Sequence, residues 1–164
     1  MDFLDISLII SITLCSLVSG LIFTYAIVVM PGLSKLSDRE FIRAFQVADS
    51  VIQNNQPLFM FVWIGSIVSI LSTLLISVVS FGLSESWPIV LISGVYLLGV
   101  QGVTTAIHIP LNNQIHQIRL EGLSDEAVTG ERSKFENKWN CGNNIRTTIS
   151  IVASLLLLIL LSLR

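Results

Sequence analysis

The chain has 164 residues, of which 52% are hydrophobic and only 12% are charged; a soluble domain carries about 25% charged residues. Nine Lys and Arg against eleven Asp and Glu, a net charge of -2, leave no basic surplus for a phosphate backbone, so nucleic acid is excluded as a partner. The same composition excludes a disordered chain, and two cysteines exclude a disulfide scaffold. Mean hydropathy of +0.80 points instead to an all-α integral membrane protein.

A transmembrane helix needs about 20 mostly apolar residues, and four stretches qualify, at about 6–30, 57–81, 87–109 and 145–163. They predict a single transmembrane four-helix domain over residues 1–164. Pro31 and Gly32 end the first span, Gly82 ends the second, and Pro88 suits the first turn of the third. The N-terminal segment is acidic at Asp2 and Asp5, which excludes a signal peptide. Lys35, Arg39 and Arg43 follow span one, and Arg119, Arg132, Lys134, Lys138 and Arg146 follow span three. Arg164 alone lies on the opposite side. This asymmetry predicts a multi-pass plasma or inner membrane protein with both long loops cytoplasmic and both termini outside. Cys15 and Cys141 are read as small buried thiols too far apart to bridge.

The first loop contains an amphipathic helix, with Phe41, Phe45, Ala48 and Ile52 on one face. Gln46, Asp49 and Gln53 form a polar stripe beside it. That stripe is either a wetted flank or a contact to polar groups at the ends of the spans. The second long loop continues span three helically to about Glu121, breaks at Gly122 and restarts at Ser124. Val128, Arg132, Phe135 and Trp139 then share one face.

Polar groups are costly in hydrocarbon unless paired, so those inside the spans are informative. In span three, Gln101, Thr104, Thr105, His108 and Asn112 fall within about 100° of arc on an ideal helix. Ser66, Ser69, Thr73, Ser77 and Ser80 in span two, and Ser16, Gly20 and Thr24 in span one, have the spacing of close helix packing. Trp139, Asn143 and Arg146 point together at the entrance of span four. Arg146 either snorkels to the headgroups or faces the bundle, where it neutralises an anion or pairs with Asp49. His108 is either a packing residue or a base. His116 lies about 12 Å further along, so the two histidines form no metal site, and no cofactor motif is present.

Three stretches carry a resemblance: GLIFTYAIVVMPGLSKLSDREFIRAFQ at 20–46, IHIPLNN at 107–113 and WNCGNNIRT at 139–147. In order and spacing they resemble the anthrone-oxygenase-like family of small four-helix membrane proteins. The match falls on Pro31, Gln46, Pro110, Asn112, Trp139, Asn143 and Arg146, and His108 departs from the family's pattern. The resemblance implies a cofactor-independent monooxygenase, an oxidoreductase acting on a lipophilic polycyclic aromatic at the cytoplasmic side of the bundle. In that reading Arg146 holds the enolate, and His108 or Asp49 is the base. Gln46, Gln101, Asn112, Trp139 and Asn143 bind the substrate. Partners are then the lipid bilayer and an aromatic small molecule, with a homo-oligomer allowed. The alternative is a non-enzymatic lipophile-binding or accessory membrane protein, in which the same polar cluster only ties helix ends together. A transporter is disfavoured because no span has a charged pair or a broken-helix pair.

Overall fold

The computed structural model describes residues 2–164, and these are helical almost throughout. Helix α1 spans Phe3–Leu33 and starts in a reciprocal capping box between Asp2 and Asp5. Helix α2, Asp38–Gln53, starts in a second box between Ser37 and Glu40. The long apolar run Pro57–Gln117 bends back on itself at Gly82, where φ is 78° and ψ 166°, a left-handed region that favours glycine. It therefore supplies two antiparallel legs, α3 at 57–81 and α4 at 83–117. Helix α5, Asp125–Ser162, begins at an Ser124 cap. Each of α1, α3, α4 and α5 is long and apolar enough to cross a membrane, and the chain is a helical membrane protein.

Hydrogen bonds and close approaches give the bundle its order. Thr73 on α3 bonds to Ser7 and Ser11 on α1 at 2.7 and 2.8 Å. Tyr96 on α4 donates to Ser66 on α3 at 3.1 Å, and Ser77 donates to Ser86 at 2.8 Å. Gly99 on α4 lies against Ile149 on α5, and Asn143 on α5 reaches the Ile22 carbonyl of α1 at 3.0 Å. The ring α1–α3–α4–α5 is thus an up-down-up-down bundle. Small hydroxyl residues between helices permit close approach and bond in pairs. Large apolar residues such as Leu75, Val79 and Leu98 point outward, as a lipid-facing surface requires.

Several expectations need correction. Ser16, Gly20 and Thr24 face outward, and the packing face of α1 is Ser7, Ser11, Cys15, Val18, Ser19 and Ile22. Of the α3 stripe, Ser80 is exposed. Cys141 is exposed rather than buried, while Cys15 is buried and both thiols are free. On α2 Ala48 is exposed, and the buried face is Phe41, Ile42, Phe45 and Asp49.

Pro31, expected to end the first span, and Pro110 are both absorbed within helices. A π-helical stretch, Tyr25–Val29, precedes Pro31, and two more, Leu97–Gly102 and Thr104–His108, precede Pro110. Proline lacks an N–H and its ring crowds the preceding turn, and a widened turn relieves both effects without ending the helix. The re-registration turns Thr105 out of the predicted stripe, where it bonds the Gly102 carbonyl, while Gln101, Thr104 and His108 stay buried. Helix α4 ends at Gln117 rather than near Glu121, since Ile118 is extended. The Gln46 amide takes the Ile115 and Ile118 carbonyls at 2.8 and 3.0 Å, satisfying groups that every helix end leaves open.

At the loop-bearing end a second apolar cluster holds α2 onto the bundle. Phe45 meets Phe135 at 4.6 Å and Trp139 at 5.7 Å between ring centroids. Arg132 lies 4.4 Å over the Phe41 ring and donates to the Ser34 and Leu36 carbonyls, to Asp38 and to Glu136. The Thr129 hydroxyl, with Arg132, holds the Asp38 carboxyl below its usual range. Replacing Arg132 with Ala strands two carbonyls and two carboxylates. We expect a loss of about 2–3 kcal/mol, measured as a lowered unfolding midpoint in detergent, with hydrogen exchange rising first in α2.

Candidate functional site

The widened turns of α1 and α4 and the packing of α2 leave a partly enclosed space at the loop-bearing end. It is a cavity of about 290 Å³ with walls from all five helices, at the lower edge of the about 300–1,000 Å³ range of small-molecule sites. Leu21, Ile22, Phe59, Met60, Trp63 and Ile109 make most of its wall apolar.

One polar wall centres on Arg146. It is 6% exposed and faces the bundle, which decides against snorkelling. Its Nε donates to Asn143 Oδ1 and its Nη1 to Thr104 Oγ1, both at 3.0 Å. Its guanidinium carbon sits 5.6 Å from the Trp139 ring. Among the described residues no carboxylate pairs with it. Neutral dipoles hold this fork in place without cancelling its charge.

A second polar part of the lining centres on Asp49. Its Oδ1 accepts from Asn112 Nδ2 at 2.8 Å, and its Oδ2 accepts from Gln53 Nε2 at 3.1 Å and lies 3.0 Å from His116 Nε2. Asn112 Oδ1 in turn accepts from Trp139 Nε1 at 2.9 Å. A continuous chain Trp139–Asn112–Asp49–His116 therefore links α5, α4 and α2. The Arg146–Asp49 pair, one of the alternatives the sequence left open, does not form, because these neutral and imidazole partners occupy Asp49 instead.

His108 lines the cavity but is packed rather than poised. Its ring stands edge-on to Trp139 at 5.1 Å. Its Nδ1 is 3.4 Å from the Val103 carbonyl, and its Nε2 is sealed without a partner. A Cβ at Gly142 would stand 3.0 Å from His108 Cε1, so this glycine is what admits the ring.

Of the eight residues singled out from the sequence, His108, Arg146, Asp49, Asn112 and Trp139 line one cavity. Asn143 lies behind Arg146 and orients it, Gln46 caps α4, and Gln101 lies within 3.5 Å of the Tyr96 hydroxyl outside the cavity lining. Sequence reading assigned no role to Tyr25 or His116. The ring of Tyr25 lies 5.6 Å from that of Trp139 and projects from the widened turn before Pro31, the signal that could have located it. Among the described residues no group of three His, Cys, Asp or Glu could hold a metal ion.

A family model described as anthrone oxygenase matches residues 58–156, more than half of the chain. The match includes the 107–113 and 139–147 stretches and therefore Asn112, Trp139 and Arg146. Comparisons with curated proteins and with solved structures return no match.

Proposed function

The chain belongs to the anthrone oxygenase family, and on that premise we propose that it binds a lipophilic, flat polycyclic phenol or ketone of anthrone type in the 290 Å³ cavity and oxygenates it with dioxygen. The observation that carries this reading is Arg146: a buried guanidinium on a cavity wall, held by neutral oxygens and paired with no carboxylate among the described residues. A buried cation is costly unless an anion meets it, and an enolate or phenolate oxygen supplies that anion. Trp139 offers a flat face to an aromatic ligand, and the apolar walls admit a molecule that partitions into a bilayer.

The reaction balances as anthrone plus dioxygen giving anthraquinone plus water. A C–H bond of the ring methylene breaks, its proton passes to the Asp49 carboxylate, and the electron pair delocalises onto the carbonyl oxygen held by Arg146. The carbanion is oxidised as dioxygen is reduced and a C–O bond forms. The peroxide takes up a proton, the second methylene C–H breaks, the O–O bond cleaves, and water leaves. Asp49 is a better base than His108 here, because the His108 nitrogens are turned to a carbonyl and into packing.

We place the loop-bearing end in the cytoplasm and the termini outside, on the basic residues Lys35, Arg39, Arg43, Arg119, Arg132, Lys134 and Lys138 gathered there. A lipophile-binding role without chemistry is the second reading. It draws on the Trp139–Asn112–Asp49–His116 chain, which ties three helices together whatever else it does. The experiment is anthrone added to the purified protein in nanodiscs, with oxygen uptake and anthraquinone followed together above the uncatalysed rate. Stoichiometric uptake and product support the oxygenase. Anthrone retained in native mass spectra without oxygen uptake favours the binding role, and neither signal overturns both.

A further inference from the structure

The Asp49–His116 pair separates two spaces. On its inner side lies the cavity, which Asp49 lines and His116 does not. On its outer side lies a surface groove of about 410 Å³ at the loop-bearing end, which His116 lines and Asp49 does not. Side-chain exposure follows the same gradient, 3% for Asp49 and 25% for His116, across a contact of 3.0 Å. The groove is polar, with Arg43, Gln46 and Ser50 from α2 and Arg119 and Glu121 from the turn after α4. Gln46, by capping Ile115 and Ile118, fixes the end of the helix that carries His116.

We propose that His116 is the proton relay between Asp49 in the ligand cavity and water in the surface groove. The inference rests on Asp49 acting as the base of the oxygenase reading. With an aromatic ligand filling the cavity, an Asp49 side chain only 3% exposed has no water of its own to pass the proton to. In the tautomer that carries its proton on Nδ1, the His116 imidazole accepts that proton at Nε2, which regenerates the Asp49 carboxylate. The ring then releases its Nδ1 proton to groove water, leaving the Nε2–H as donor to the carboxylate. The reverse path, with a proton taken up at Nδ1 and Nε2–H given back through Asp49, returns one when the peroxide is protonated and restores the first tautomer. No bond to carbon changes in this step, and charge moves only along the pair. Among the described residues, Asp49 on α2 is the acidic group in contact with the ring. Arg43, Arg119 and Glu121 are the charged groups that face it across the groove.

The test is His116→Gln, whose amide keeps a donor for Asp49 and cannot carry a proton through. With anthrone as the probe, turnover is expected to fall by about 10²-fold, the scale of one general acid–base contribution, while KM stays near the wild-type value. Added imidazole, small enough for the groove, is expected to restore much of the rate to His116→Gln and none to Asp49→Asn. A structural role would give a destabilised protein that imidazole does not rescue. Unchanged turnover in His116→Gln, or a loss that imidazole leaves untouched, overturns the relay while the oxygenase reading stands. Wild-type protein that leaves anthrone unoxidised overturns that reading, and the relay with it.

Discussion

Arg146→Ala is expected to abolish anthrone turnover, by about 10²–10³-fold or more, while leaving the unfolding midpoint nearly unchanged. The two halves of this expectation come from one geometry. The guanidinium is held by the Asn143 and Thr104 oxygens at 3.0 Å and meets no carboxylate among the described residues. A buried cation so placed contributes little to stability, because its desolvation is not repaid by an ion pair. Thr104 still donates to the Val100 carbonyl without it, and Asn143 still donates to Ile22. What disappears is the only Lys or Arg on the cavity wall among the described residues, and with it the stabilisation of a developing enolate. Arg146→Lys is expected to recover part of the rate, since it restores charge but not the planar fork. A large fall in midpoint for Arg146→Ala, with turnover surviving in the folded fraction, would assign the residue to architecture. Differential scanning fluorimetry and oxygen uptake on the same preparations decide it.

Asp49→Asn is expected to remove turnover as completely, and here stability should fall as well, by about 1–3 kcal/mol. The asparagine oxygen can still accept from Asn112, but its amide meets His116 and Gln53 as a donor among donors. The chain from Trp139 to His116 is broken at its centre. Asp49→Ala should cost more, because Asn112 and His116 lose a partner and a void opens. If Asp49→Asn retains wild-type turnover, the base lies elsewhere, and His108 is the next residue to replace. Measured rates at saturating anthrone, with folding verified by circular dichroism, separate the outcomes.

The spans were legible in the sequence because a bilayer imposes length and apolarity so strongly that few other residue patterns satisfy it. Five of the eight candidate residues share the cavity, and for His108, Asn112 and Arg146 the reason is related: a polar group inside or at the end of a span needs a partner, so polar groups converge. Failures occurred where tertiary geometry overrode an ideal helical wheel. Ser16, Gly20 and Thr24 have the spacing of a packing seam, yet the seam runs along Ser7, Ser11 and Ser19, on a neighbouring face. Nothing in a single chain's periodicity distinguishes two small-residue stripes on one helix. Thr105 left its predicted face because widened turns before Pro110 changed the angular step. Asp49 read either as a wetted flank or as a contact to polar groups at the span ends, and it makes that contact through Asn112, whereas His116 lay beyond the span that drew attention. Their pairing joins positions 67 residues apart, a distance no local pattern reports.

The bend at Gly82 has a bearing on how the protein is made. Between Asp49 and Arg119 the chain carries a single Asp, Glu, Lys or Arg, namely Glu85, and the Ser77–Ser86 bond closes the bend without a polar loop. Moving the tip of such a hairpin across a bilayer therefore requires the transfer of one carboxyl group rather than a hydrated segment. The expected consequence for biosynthesis is that α3 and α4 insert as a preassembled pair, with no orienting charge of their own. Their direction is then dictated by the basic residues flanking the pair. Arginines grafted beside Glu85 should stall or invert this hairpin in a cell-free translocation assay, whereas the same graft beyond Arg119 should leave it undisturbed.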